Sequence, residues 1–174
     1  MQDITIEMIS RETATEILTF EKENRTFFET MVPSRGNEYY ETQQFTSIIE
    51  ELIQEQEQGS CFMYLIRDES GQMVGRVNLF SVCREEIHTA EIGYRISEKH
   101  NGKGYATNAI KLLVSEAFAT HGLQKLEAGT SPNNVGSQIA LLKNGFRFIA
   151  KSSELIKVNE HFEESVLFER LRET

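Results

Sequence analysis

The chain of 174 residues contains only two cysteines, Cys61 and Cys83, and both lie in apolar, strand-like surroundings. That count excludes a disulfide-stapled scaffold and reads as buried thiols in a reducing compartment. The four histidines (His88, His100, His121, His161) are scattered. No pair has the spacing of metal ligands on a helix or of a C-x-x-C-type site, so no metal is expected. No window approaches the roughly 18 consecutive apolar residues of a membrane span, so no membrane partner is expected. The opening Met1-Gln2-Asp3-Ile4-Thr5 has neither a basic stretch nor an apolar one, and a cytoplasmic address is the expectation. The formal net charge is −9 and no stripe of Lys or Arg offsets it, which argues against a nucleic-acid partner. Two readings of that charge stay open: long-range attraction of a cationic substrate, or plain solubility. There is no internal repeat, low-complexity tract or linker. A single domain over residues 1–174 is expected, long enough to bury a real core.

What is present is a regular alternation of patterns. Ile4, Ile6 and Met8 alternate with polar neighbours and predict a strand over 4–9. A helix is expected from Thr13 to Met31, ended by Pro33-Ser34-Arg35-Gly36-Asn37. Phe45, Ile48, Ile49, Leu52 and Ile53 recur at three and four residues, a helix over 42–56 stopped at Gly59. Strands follow at 61–67 and 72–82 around the turn Asp68-Glu69-Ser70-Gly71, and another at 88–97. Ile110, Leu113, Val114, Ala117 and Phe118 mark a helix over 104–120, ended at Gly122. A strand at 126–130 and a turn at 131–134 lead to a short helix with Val135, Ile139 and Leu142 facing inward. Strands at 146–158 and 162–171, around a turn at Asn159-Glu160, close the chain. The sum is a mixed α/β fold.

One segment carries chemistry: His100-Asn101-Gly102-Lys103-Gly104-Tyr105-Ala106-Thr107, between a strand and a long helix. Two glycines let the backbone turn tightly, so that successive N–H groups point at one spot. The helix adds its own unpaired amides and the positive end of its dipole, which makes a site for a phosphate or pyrophosphate. Lys103 supplies a mobile positive charge beside it. A P-loop is excluded, because Ser97 stands where its first glycine belongs. A dinucleotide fold is excluded too, because Thr107 replaces its third glycine and no early βαβ unit exists.

This segment, together with Ala90-Glu91-Ile92-Gly93-Tyr94-Arg95-Ile96, Ser131-Pro132-Asn133-Asn134-Val135-Gly136-Ser137 and Leu142-Lys143-Asn144-Gly145-Phe146, resembles the GNAT superfamily of N-acetyltransferases. The likeness covers nearly the whole chain and is strongest from about Glu91 to Phe148. Within the superfamily the A-E-I-G-Y phrase and the pair Asn134 and Ser137 look like the branch of ribosomal-protein N-terminal alanine acetyltransferases. Two departures stand out. The phosphate motif begins with Asn101 where the family usually has Gln or Arg, and Leu141 replaces a tyrosine that many members use as general acid.

The resemblance implies a mostly antiparallel sheet of about seven strands with a splayed central parallel pair. It implies transfer of an acetyl group from acetyl-CoA to a primary amine, with no metal and no covalent enzyme intermediate. Asn101 and the main-chain amides of Gly102, Lys103, Gly104, Tyr105, Ala106 and Thr107 would hold the pyrophosphate. The strand end at Tyr94, Arg95, Ile96 and Ser97 would pair with the pantetheine arm like an added strand. Asn133 or Asn134 would bond that arm from the other side. Glu91 is the candidate base, the alternative being a salt-bridged strand residue. Ser137 is the candidate proton donor to the thiolate, the alternative being a small helix residue beside the cofactor. Tyr94 is a further donor, although it alternates onto the face opposite Glu91 unless the strand is bulged. Arg76 and Asn78 would line the acceptor groove or form a polar outer face. Phe27, Phe28, Tyr39, Tyr40 and Phe45 would form a lid or simple core. A free α-amine, with pKa near 8, needs far less help to deprotonate than a lysine near 10.4. The acceptor is therefore expected to be a protein or peptide N-terminus. A small amine and a non-catalytic acyl-CoA sensor are the alternatives, and a homodimer is one open assembly state.

Overall fold

In the computed structural model, which describes residues 3–158 and 161–173, seven strands form one sheet in the order β1-β2-β3-β4-β5-β7-β6. The strands are β1 (Ile4–Met8), β2 (Phe62–Asp68), β3 (Met73–Cys83), β4 (Thr89–Ile96), β5 (Lys125–Thr130), β6 (Arg147–Val158) and β7 (His161–Leu171). Every neighbouring pair is antiparallel except β4 and β5. The expected turn at residues 159 and 160 lies outside the described residues.

Strand alternation divides the core in two. Tyr64, Ile66, Val77, Leu79 and Ile92 point to one face, where Ile110, Leu113, Val114 and Ala117 of α4 (Tyr105–Ala119) pack on them. Met63 and Leu65 point to the other face, under Ile17 and Phe20 of α1 (Ala14–Glu23), Phe28 of α2 (Arg25–Phe28) and Phe45, Ile49 and Ile53 of α3 (Thr42–Gln58). Phe28, Tyr39, Tyr40 and Phe45 are buried members of this second core and Phe27 packs against it, so the aromatic cluster is core.

Two sequence expectations are corrected. The single helix over 13–31 is broken at Asn24, whose backbone (φ −104°, ψ 5°) leaves the helical basin between α1 and α2. The Asn24 side chain is the cause. Its Nδ2 donates to the Phe20 carbonyl at 2.9 Å and its Oδ1 accepts from the Glu98 amide at 3.0 Å, a local competition typical of asparagine. The inward face of α5 (Val135–Lys143) is also different: Val135, Ile139 and Leu142 are exposed, whereas Ala140 and Leu141 are buried. Polar anchoring overrides hydropathy here. Ser137 bonds Tyr94 on the sheet, and buried Asn144 donates to the Thr107 carbonyl at 2.9 Å, so the stripe 137, 140, 141 and 144 faces in. Cys61 is buried and Cys83 half-buried, both free, and burial pushes the Cys61 thiol up to about 11.

Candidate active site

The glycine segment folds as a turn capped by left-handed residues. Gly102 has φ +73° and Gly104, which caps α4, has φ +87°. A side chain at either would adopt a backbone that L-residues avoid, although the space beside both is open. The first α4 bond runs from the Asn108 amide to the Gly104 carbonyl at 3.1 Å, so the amides of Tyr105, Ala106 and Thr107 are the helix's unpaired leading donors. Residues 101–104 are exposed. Tyr105 is buried, with its ring edge-on to His100 at 5.2 Å, and so offers only main chain to a ligand. His100 is held by Ser97, with Oγ and Nδ1 2.6 Å apart. Asn24, which caps the end of α1, accepts the Glu98 amide and so also steadies this turn.

Beside the turn the sheet opens. β4 pairs with β5 only through Thr89, Ala90 and Glu91 against Lys125, Leu126 and Glu127. Beyond that point β4 stays registered on β3 to Ile96, and β5 on β7 to Thr130, so the two parallel strands part. The Ser97 amide donates to the Val74 carbonyl at 2.9 Å, toward β3. By two-residue alternation the main chain of Arg95 also faces β3, and that of Tyr94 and Ile96 faces the opening.

The main chain of Arg95 and Ser97 thus faces β3 and not the opening. Their backbone groups serve β3, the Ser97 hydroxyl serves His100, and the Arg95 side chain lies on the sheet face under α1. Asn133 donates Nδ2 to Glu163 at 2.7 Å, and Asn134 caps α5 by accepting the Ser137 amide at 3.1 Å. Both side chains are engaged within the fold itself.

Across the opening, the Tyr94 hydroxyl donates to Ser137 Oγ at 2.7 Å. Burial raises the Tyr94 phenol above its ordinary range, partly offset by that bond, so it stays protonated at neutral pH. Glu91 lies on the other face. β4 keeps its register with Gly75 through Phe80, and the irregularity falls in β3 between Phe80 and Cys83, where Ser81 takes φ +50°. Glu91 and Tyr94 therefore remain on opposite sides of the strand. Glu91 sits where the parallel pairing ends, half-buried. Next on its face comes Gly93, flanked by Phe80 and Asn78: a Cβ there would meet Phe80 Cε1 at 3.3 Å and Asn78 Nδ2 at 3.5 Å.

Arg76 is not a free groove residue. It is 6% exposed, and its Nε lies 2.7 Å from Oε1 of Glu21, a carboxylate of α1 with no exposure at all. These two atoms make an ion pair without the alignment of a hydrogen bond. Arg95 Nη1 donates to the other Glu21 oxygen at 3.0 Å and its guanidinium lies 5.2 Å from the Phe28 ring centre. Burial, reinforced by Arg76, lowers the Arg95 guanidinium to about 10. Glu21 escaped the sequence reading. Its sole signal was a charge on the same helical face as Ile17 and Leu18, three or four residues apart.

A splayed parallel pair, a glycine turn with unpaired amides at a helix start, and hydroxyls bridging the gap lie together beside an open strand edge. A family model described as "Acetyltransferase (GNAT) domain" matches residues 4–147. The probable N-acetyltransferase YjcK of Bacillus subtilis (strain 168) is 35% identical over 152 residues, covering 87% of this chain and 84% of its own. The chain belongs to the GNAT acetyltransferase family and is an acyltransferase. Its fold matches that of the ribosomal-protein-S5-alanine acetyltransferase from Vibrio fischeri with a TM-score of 0.91 at 19% identity, covering 98% of this chain and 94% of that one. It also matches RimJ of Mycobacterium smegmatis in complex with CoA-disulfide, TM-score 0.88 at 21% identity, covering 97% and 81%. Among the described residues, no helix is long and apolar enough to cross a membrane, and no group of His, Cys, Asp or Glu is placed to hold a metal ion.

Proposed function

We propose that this acyltransferase passes the acetyl group of acetyl-CoA directly to the α-amine of a protein or peptide. The observation that carries the reading is the parting of β4 from β5 directly after Glu91, with Tyr94 and Ser137 joined across the gap. When bound, acetyl-CoA supplies the acyl group already activated as a thioester. The amides of residues 102–107 and Lys103 fit its pyrophosphate, and the open main chain of Tyr94 and Ile96 fits its peptide-like arm. Two of the similar structures bear on the choice: one is named for an alanine of a ribosomal protein, the other holds a CoA derivative.

The two faces of β4 divide the proton work. Glu91, at the apex of the opening, accepts the proton that the attacking amine loses as its C–N bond forms. Ser137 gives a proton to the sulfur as the C–S bond breaks, and recovers one from the Tyr94 hydroxyl that donates to it. The Tyr94 amide, facing the opening, stabilises charge on the acyl oxygen, a kind of contact worth roughly 3 kcal/mol where measured. Asn78, beside Gly93, orients the acceptor chain.

Thiol release from acetyl-CoA over a panel of N-terminal peptides and small amines tests the reading. The rate is expected to climb with pH as an α-amine near pKa 8 deprotonates. Glu91→Gln lowers kcat most at low pH. A chain that releases no thiol with any amine is not a catalyst, and an unaltered pH–rate profile in Glu91→Gln removes Glu91 from the mechanism.

A further inference from the structure

Around Glu21 a small local group of guanidiniums outnumbers its carboxylates, in a chain whose total is −9. Arg76 and Arg95 share one carboxylate, Glu21. Arg25, 4.4 Å from the Tyr40 ring centre, is matched by Glu29 at 3.0 Å. Arg35 lies 4.9 Å from the Tyr39 ring centre, close enough to Arg95 to repel it, and has no carboxylate partner among the described residues. Four guanidiniums thus meet two carboxylates. Arg76 and Arg95 are largely buried on a single carboxylate, and burying an unmatched charge is costly, so this pair favours a further anion. The pairing inside it is incomplete as well: Glu21 Oε1 and Arg76 Nε, both buried, have no hydrogen-bond partner.

Position along β4 indicates who brings that anion. Arg95 follows Glu91 and Gly93 on the same face, about 13 Å and about 7 Å further along at the usual strand rise. An extended peptide whose amine lies at Glu91 and Gly93 reaches Arg95 with its second or third residue. Arg95 keeps a 13% exposed side chain, and Arg35 is exposed beyond it, so the path stays open to an arriving group.

We propose that the acceptor carries a carboxylate two to three residues from its reacting amine, and that Arg95 and Arg35 receive it. The inference deepens the transferase reading above and rests on it. Local charge reverses what the whole-chain charge suggests. At physiological salt the screening length is about 8 Å, so a carboxylate at Arg95 is governed by its immediate neighbours and not by distant surface acids.

The test compares matched acceptors on the intact chain, read by thiol release. Peptides with Asp or Asn at the second or third position probe a side-chain carboxylate. Short peptides with a free or an amidated C-terminus probe a terminal one, and spermidine is the cationic comparator. The carboxylate forms are expected to show a KM lower by on the order of ten-fold, with kcat little changed. Arg35→Gln and Arg95→Gln should each erase that preference. Arg95→Gln leaves Glu21 and Arg76 as a neutral pair, so its thermal midpoint should equal or exceed that of the parent chain. A purely structural triad predicts the opposite, a fall in midpoint with the preference retained. If Arg95→Gln does not fold, the triad is structural and Arg35→Gln alone decides whether a carboxylate is read there. Equal kcat/KM for the Asp and Asn forms and for free and amidated termini, or a preference for spermidine, overturns the inference while leaving the transferase standing. Silence with every acceptor overturns both.

Discussion

Along β4, the side chains directed at α4 are Ala90, Ile92, Tyr94 and Ile96, and those directed at α1, α2 and α3 are Glu91, Gly93 and Arg95. The first set is apolar apart from one hydroxyl and packs against α4, and in the proposed reading the main chain there does the recognising. The second set holds two charges and a gap, and it meets a fully buried glutamate from α1. One strand thus presents a rigid apolar wall to one partner and a charged, incompletely paired surface to the other. If the proposed roles hold, the difference says where change is tolerated: main-chain recognition on the first face would survive side-chain drift, whereas charge recognition on the second would depend on each residue.

The sharpest way to break the second face is Glu21→Gln. It leaves Arg76 and Arg95 facing each other without a counter-charge, and loss of one partner in a buried ion cluster costs about 3–5 kcal/mol. A drop in the thermal midpoint of about 10 °C follows for a chain of this size. Calorimetric unfolding checks it, and a midpoint within a degree or two of the parent would show that the cluster holds nothing together.

The first face breaks at Tyr94 and Ser137. Tyr94→Phe and Ser137→Ala should each lower kcat by about 10²-fold, a typical acid–base contribution. The double variant should be no worse than either single one, because the two hydroxyls act in series. Multiplicative losses in a double-mutant cycle would show that they act separately. Since burial keeps the Tyr94 phenol protonated beyond its ordinary range, the parent rate should hold level through pH 9–10 once the amine is neutral. Gly104→Ala forces an L-residue into φ +87°, at a strain of about 1–2 kcal/mol that the turn relieves by rotating its amides away. Titration calorimetry should find coenzyme A bound about ten-fold more weakly; unchanged affinity would detach the turn from the cofactor.

The same contrast explains what could be read before any coordinates. The cofactor side depends on local rules (a glycine pair before a helix, a cap at Asn134, alternation on β4), each contained in a few consecutive residues. Elements β1, α3, β2 and α4, on both sides, carry their own local hydropathy period and emerge within a residue or two of their expected bounds. The acceptor side depends on contacts between residues far apart, such as Glu21 with Arg76 and Arg95, which leave no local pattern. Errors cluster where a polar side chain reaches out of its own element. Asn24 breaks a helix in order to hold Glu98, and Asn144 turns α5 by holding Thr107, so that its apolar stripe faces outward.

The smallest expected effect lies at the far end of the α4 face and separates fold from chemistry. His121, just past α4, stacks on Phe62 with ring centres 3.7 Å apart and shares a 2.7 Å contact between Nε2 and the Tyr64 hydroxyl. Burial lowers its pKa below the ordinary imidazole value. The folded chain therefore binds this proton less readily than the unfolded chain, whose histidine titrates near 6.5. Below that pH the unfolded state takes up protons that the folded state refuses, so stability present at pH 7–8 is lost as pH falls, until the folded imidazole also titrates. His121→Gln should flatten the thermal midpoint between pH 7.5 and 5.5 while leaving the amine-controlled rise of kcat with pH in place. If both profiles change together, the acid-side loss of rate belongs to unfolding and not to the acceptor amine or Glu91.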